Sequence, residues 1–229
     1  MNIRILQLIE GAKAAVGSVV IIDVFRAFSL EAYLFAGGAE AIYPIGDVET
    51  AYRMKKEDPS VILAGERHGR ILEGFDLGNA PSDAVKLDVR GKRVVHTTSA
   101  GTQGVANATG ATEILGASLV NARATAEYLR RSGCEEISLV CMGLEALAQT
   151  EEDTLCAKYI KAILEGDEAS LDMPAEIELL KKTSGAKFFD EAQGDVFPRE
   201  DFFLCTDCDR FDFAMRLDPT DGKMEKILI

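Results

Sequence analysis

Basic residues are in short supply in this 229-residue chain: 25 Lys and Arg stand against 38 Asp and Glu, a net charge of −13. Such a surface repels phosphate backbones, which excludes a nucleic-acid partner. A small anionic substrate is not excluded, because one metal ion or arginine can reverse the field inside a cleft. Long apolar runs are also missing. No segment approaches the ~18 uninterrupted apolar residues of a membrane helix, so no membrane partner is expected. Met1 to Glu10 lacks the basic flank and small-residue cleavage site of a secretory signal. Cysteine is sparse and odd in number, at positions 134, 141, 156, 205 and 208. That argues against a disulfide scaffold and for a reducing cytoplasm. Cys205-Thr206-Asp207-Cys208 has metal-knuckle spacing, but there is no second pair and neither His68 nor His96 lies nearby, so a structural role is expected. Cys-x₅-Arg and Gly-x₄-Gly-Lys-Ser/Thr loops are absent. Asp23 is not followed two residues later by a second aspartate, which counts against phosphatases of the haloacid-dehalogenase type.

What is present starts at Val19-Val20-Ile21-Ile22, four β-branched residues that read as a buried strand. The run stops on Asp23, with Arg26 three residues later and Ser29 three further. An apolar, helix-friendly segment then fills 30–37 and meets Gly37-Gly38, a helix-ending signal. Strand, charged turn and helix place that turn at the carboxyl end of a strand, where open α/β sheets bind ligands. The alternative is an ordinary surface Asp–Arg pair, worth little.

The alternation continues along the chain. Residues 1–7 suit an edge strand, 39–45 a strand, 48–57 a helix broken by Asp58-Pro59, and 61–64 a strand ending at Gly65-Glu66-Arg67. A polar loop follows over 68–82, and Phe75 and Leu77 give it apolar anchors, so order is expected. From Gly91 a strand enters the turn Thr97 to Thr102, followed by a small-residue helix, a strand at 112–115, a helix at 122–131 and a strand at 136–141. An acidic stretch then opens a helix over 155–165. Residues 166–195 read as a mobile polar helical region, and 215–229 as a closing edge strand. The fold class is α/β.

Gly38-Ala39-Glu40-Ala41-Ile42 aligns with Gly110-Ala111-Thr112-Glu113-Ile114, and the same offset lays Asp23 to Arg26 beside Val95 to Thr98. Two similar α/β units related by internal duplication are therefore expected. The first spans 1–90 with the site loop, and the second spans 91–229 with a helical and edge-strand extension. Chance likeness between generic βαβ segments is the alternative.

Acidic residues collect where strands should stop: Asp23, Glu66, and Glu152 or Asp153, with Asp76 in the long loop. Carboxylates without matching histidines or thiols suit Mg²⁺ better than zinc. Mg²⁺ needs only one or two of them, so the others have further roles. An acidic pair at a helix start is also favoured by the helix dipole alone. Thr97, Thr98, Ser99, Gly101 and Thr102 offer hydroxyls and N–H groups before a helix, an anion cradle by geometry, although such turns also serve as plain caps. Metal, Arg26 and cradle together suit phosphoryl transfer to water. His68 reads as an exposed, idle loop histidine in preference to a proton donor, and Cys141 and Cys156 read as core.

These residues resemble the 2-phosphosulfolactate phosphatase (ComB-like) family. The likeness is carried by Asp23-Val24-Phe25-Arg26-Ala27, Gly65-Glu66-Arg67 and the stretch Glu73 to Pro81. Thr97-Thr98 with Gly101-Thr102, Gly116 to Ala122, and Glu152 to Ala157 continue it in order, and Asp209-Arg210-Phe211-Asp212 adds to it in the tail. The resemblance implies a three-layer α/β/α fold. It also implies a Mg²⁺-dependent hydrolase that removes phosphate from 2-phospho-3-sulfolactate, a step of coenzyme M biosynthesis. Three departures stand out. Phe28-Ser29 replaces two threonines, Ser99-Ala100 replaces a Thr-Asn pair, and His68 stands where the family tends to have glycine.

The expected protein is thus a cytoplasmic Mg²⁺-dependent phosphatase for a small anionic phosphoester. Asp23, with Asp153 and Glu66 or Asp76, is expected to hold the ion. Asp23, Arg26 and Asp153 are the expected catalytic residues, and Arg26, Asn79, Thr97, Thr98, Ser99, Gly101 and Thr102 the expected substrate contacts. Left open are a different phosphorylated acid as substrate, a binding protein without turnover, the identity of the general acid, and assembly into a homo-oligomer.

Overall fold

Apolar runs stopped by charged or glycine-bearing turns make strands, and here they assemble into one sheet. In the computed structural model, which describes residues 1–229, the strands of the first half are β1 (Asn2–Gln7), β2 (Gly17–Ile22), β3 (Ala41–Pro44), β4 (Ile62–Arg67) and β5 (Arg70–Ile71). Those of the second half are β6 (Arg93–Thr97), β7 (Ala111–Ala117), β8 (Glu136–Cys141), β9 (Phe213–Leu217) and β10 (Met224–Leu228). Their order across the sheet is β1-β8-β2-β7-β9-β10-β3-β6-β4-β5. The helices are α1 (Leu8–Ala14), α2 (Ala27–Ala36), α3 (Val48–Glu57), α4 (Pro81–Ala84), α5 (Gly101–Asn107), α6 (Ala122–Ser132), α7 (Glu151–Glu165), α8 (Met173–Leu180) and α9 (Arg199–Cys205).

The sheet is covered on both faces, as in the expected three-layer α/β/α arrangement. Alternate residues of β2 show this. Val19 and Ile21 pack in one core with Ala12, Phe28, Phe35 and Val105, which come from α1, α2 and α5. Val20 and Ile22 pack in the other with Ala126, Leu129, Ile160 and Ile163, from α6 and α7. All four β2 side chains are fully buried, each contributing on the order of 1.5–3 kcal/mol.

Within the sheet, β1, β8, β2 and β7 are parallel, and so are β3, β6 and β4. Between these blocks lies the β9–β10 hairpin, antiparallel to β7 on one side and to β3 on the other. Three antiparallel steps separate the blocks, so the blocks run in opposite senses.

Strands of both sequence halves contribute to both blocks. β2 sits between β7 and β8, while β6 sits between β3 and β4. The runs β2-α2-β3-α3-β4 and β6-α5-β7-α6-β8 share an element order. Each nevertheless gives its first strand to the other's flanking pair, so the sheet is not divided at residue 90.

Two expectations are corrected. The C-terminal segment is no edge strand. β9 and β10 are paired on both sides and bury Phe213, Ala214, Met215 and Met224, where an edge would leave a row of amides unpaired. Residues 166–195 are tied to the body, because Leu180 and Phe188 pack against Leu155 and Phe202. The seam between β10 and β3 rests on the pair Met224 and Ile42. Met224→Ala is expected to lower unfolding free energy by about 2–5 kcal/mol in urea titrations. A loss below about 1 kcal/mol would show that the hairpin is not integral to the sheet.

Candidate active site

Carboxyl ends of parallel strands are where loops can gather functional groups. Here the ends of the two blocks meet at one cavity of about 100 Å³. From the first block come Asp23, Phe25 and Arg26 after β2, and Gly143, Leu144 and Glu145 after β8. From the second come Glu66, His68 and Gly69 at and after the end of β4, and Ser99 and Ala100 after β6. Asn79, Glu152, Lys187 and Phe197 complete the lining. Asp23 and Ser99, far apart in sequence, therefore share a site.

Asp23 closes the buried run of β2 and accepts the Ala27 N–H on Oδ1 at 3.0 Å, starting α2. Burial pushes its carboxyl up to about 6, helped by the charges of Glu66 and Glu152 and opposed by the Ala27 and Gly101 amides. The approach of α5 is what makes Gly101 necessary. A Cβ there would lie 2.7 Å from Ala27 Cβ and 3.0 Å from Asp23 Oδ2.

Glu152 and Asp153 stand side by side in the first turn of α7, but they do different work. Asp153 accepts the Val24 N–H on Oδ1 and the Gly143 N–H on Oδ2, both at 2.8 Å. It thereby pins the end of β2 to the end of β8 from behind the cavity. Burial, then the charges of Glu152 and Asp23, hold it well above the usual carboxylate range despite those two amides. Glu152 lines the cavity, and its Oε2 is buried with no hydrogen-bond partner. Burial raises its carboxyl too, with Ser184 and the Lys187 ammonium pulling it back.

Glu66 bridges the loops of the second block. It accepts the Ser99 N–H on Oε1 at 2.8 Å, and the Gly69 N–H on Oε2 at 2.7 Å. Asp76 does not reach the cavity. Its Oδ2 accepts the Leu63 N–H at 2.8 Å and pairs with Lys55 at 3.0 Å, fastening the long loop to β4.

The opposite wall is basic and aromatic. Arg26 donates Nη1–H to Asp201 Oδ2 at 2.7 Å, an ion pair with both side chains buried. Asp201 in turn accepts the Ser82 N–H at 2.8 Å, and Arg26 lies 5.1 Å from the Phe197 ring centre. Lys187 sits over the rings of Phe25, Phe188 and Phe197 at 5.1–5.7 Å, within cation–π range. Burial lowers its ammonium pKa, partly offset by Glu152.

The expected anion cradle is mostly consumed internally. Thr98 N–H donates to Thr102 Oγ1 at 2.9 Å, and Thr102 N–H donates to Thr98 Oγ1 at 3.2 Å. Thr97 Oγ1 accepts from Arg67 at 3.0 Å. These hydroxyls shape the turn and lie outside the cavity lining, where only Ser99 and Ala100 of this stretch appear. His68 lines the cavity with its side chain largely exposed, Nδ1 lying 2.8 Å from Glu145 Oε1. Its backbone is left-handed, at φ 54°, a conformation glycine adopts more readily.

Lys187, Asp201 and the cavity-facing role of Glu152 escape sequence reasoning. The only local signal for Lys187 is the Phe188-Phe189 pair that follows it in a polar stretch. No three acidic, histidine or cysteine side chains enclose an ion unaided. The donor set nevertheless fits Mg²⁺, which keeps waters and takes only one or two carboxylates plus a phosphate. The unpartnered Glu152 Oε2 and the raised carboxyls of Asp23 and Glu152 are what a hard cation relieves.

No helix is long and apolar enough to cross a membrane. A probable 2-phosphosulfolactate phosphatase of Caldicellulosiruptor saccharolyticus is 42% identical over 144 residues, 61% of this chain and 59% of its own length. The chain thus aligns with less than two thirds of that relative. Proteins of the same name from Bacillus subtilis and Caldanaerobacter subterraneus are 29% and 30% identical, covering 91% and 87% of this chain and 90% and 87% of themselves. The profile described as 2-phosphosulpholactate phosphatase matches residues 3–218, so the chain belongs to that family.

Proposed function

We propose that this protein is a Mg²⁺-dependent phosphatase that hydrolyses the phosphoester of 2-phospho-3-sulfolactate, the coenzyme M pathway step. The observation that carries the reading is the two-signed cavity. Asp23, Glu66 and Glu152 face Arg26 and Lys187 across a space built from both blocks. Asp23 and Glu152 would hold the ion, whose chemistry is to neutralise phosphoryl charge and acidify water, while both oxygens of Glu66 are taken by the Ser99 and Gly69 amides. Asp153 is a positioning residue in this scheme, since both of its oxygens are committed to backbone amides.

Arg26 binds the phosphoryl group, and its orientation is fixed because Asp201 and the aromatic rings leave one way for the guanidinium to lie. Lys187 neutralises a second acidic group of the substrate. Within its ring of phenylalanines it is shielded from water, which strengthens its hold on an anion. Ser99 offers its hydroxyl beside Glu66. The cytoplasmic setting rests on five free thiols, which suit a reducing compartment.

Phosphate release from a panel of phospho-acids, with and without Mg²⁺, tests the function. Phosphosulfolactate is expected to be the best substrate, turnover to require the ion, and Asp23→Asn to lower kcat at least 100-fold. A better substrate elsewhere in the panel would change the assignment, and tight binding without turnover would favour a binding protein. Lys187→Ala is expected to raise KM about 10-fold or more, the scale of a hydrogen bond to a charged group, with a smaller change in kcat. An unchanged KM would remove Lys187 from the substrate's path.

The raised carboxylates set a pH dependence. Between about pH 4 and 6 the folded protein holds a proton on Asp23 that the unfolded chain has released, so stability falls as pH rises through that window. The cost, on the order of 3 kcal/mol, is fully present above about pH 6. Chelator-treated protein is therefore expected to melt at a higher temperature at pH 5.5 than at 7.5, and Mg²⁺ to raise the melting point most at 7.5. A melting point that falls on acidification in chelator, or ignores Mg²⁺, would contradict this.

A further inference from the structure

Two ionisable side chains lie fully buried in the protein with no part in the site so far described. Glu31 of α2 and His96 of β6 have no solvent exposure, and His96 Nδ1 lies 2.8 Å from Glu31 Oε1. His96 is the hydrogen-bond partner of Glu31, whose other oxygen, Oε2, is buried without a hydrogen bond. Burying such a pair forfeits hydration, and apolar residues of the same volume commonly make a core at least as stable. The pair therefore calls for a reason beyond stability.

Its other end leads to the cavity. His96 Nε2 lies 3.3 Å from Asn79 Oδ1, and Asn79 lines the cavity beside Arg26. Facing an amide oxygen, Nε2 must carry a hydrogen and donate it, whichever of Nδ1 and Glu31 Oε1 holds the proton between them. With Oδ1 held from behind, the Nδ2 hydrogens of Asn79 are left for the cavity. A bare Nε2 would turn the amide over and present an oxygen, which repels an anion.

We propose that Glu31 and His96 are positioning residues that lock the Asn79 amide with its N–H groups toward the cavity, making Asn79 a hydrogen-bond donor to an anionic oxygen of the substrate. This rests on the phosphatase reading for its kinetic readout, though not for its structural one. The sequence offers Asn79 as a substrate contact, and the inference adds what orients it and which of its atoms does the binding.

The test replaces the pair by apolar residues of similar volume, Glu31→Leu with His96→Phe. Expected are a melting temperature equal to or above that of the natural protein and a kcat/KM lower by 10-fold or more. In an Asn79→Ala background the same replacement is expected to change kcat/KM by less than 2-fold. Equal losses with and without Asn79, or no loss at all, would overturn the proposal.

Asn79→Asp keeps an oxygen toward His96 but turns a second one to the substrate. It is expected to fold as stably as the natural protein and to lose at least 100-fold in kcat/KM, and full activity would contradict the assigned orientation. The ¹⁵N spectrum of the His96 ring at pH 7.5 needs neither substrate nor a variant. A protonated Nε2 is expected, and a bare Nε2 would overturn the proposal even if the natural protein proved to have no phosphatase activity.

Discussion

The carboxylate of Asp153, buried behind the cavity, holds the backbone that the rest of the site depends on. By taking the amides of Val24 and Gly143 it fixes the ends of two parallel strands, β2 and β8, at the point where Asp23 must turn toward the cavity. Glu66 does the corresponding work in the other block, joining the loops after β4 and β6 through the amides of Gly69 and Ser99. Two blocks that run in opposite senses can share a site only if their carboxyl ends are brought face to face. The β9–β10 hairpin supplies that geometry, and the carboxylate-to-amide bonds fix the loops within each block.

The resulting cavity stores electrostatic cost. Asp23, Glu152 and Asp153 are pushed toward their protonated forms, and Lys187 toward its neutral form, by burial in each case. A core selected for stability alone would not assemble these groups. A ligand set of a hard cation and a multiply charged phosphoester would satisfy both signs at once, which is the physical content of the functional proposal. Arg26 differs from Lys187 in this respect, since Asp201 already balances its charge and fixes its direction.

Much of the fold was legible because its signals are local. The β-branched run ending on Asp23, the break at Asp58-Pro59 and the Gly37-Gly38 pair after α2 each mark an element boundary within a few residues. Side-chain direction is less local, and spacing does not record it. Thr98 and Thr102 look like ligand donors until their reciprocal bonds are seen. Asp76 looks like a metal ligand until its carboxylate is found on the Leu63 amide. Adjacent residues on a helix point about 100° apart, so Glu152 and Asp153 could not be told apart from spacing alone. Asp201 and Lys187 were out of reach for another reason: their partners lie in distant segments, and no periodicity records that pairing. The C-terminal strands were read as an edge because nothing in their alternation says that both sides are paired.

The most direct test of the central claim is a crystal structure with Mg²⁺ and sulfolactate plus phosphate, or an unreactive phosphoester. The account predicts the ion against the carboxylates of Asp23 and Glu152, with anionic oxygens of the ligand on Arg26, Lys187 and the Asn79 amide nitrogen. An ion bound away from Asp23, or a ligand seated outside the space between the two blocks, would contradict it.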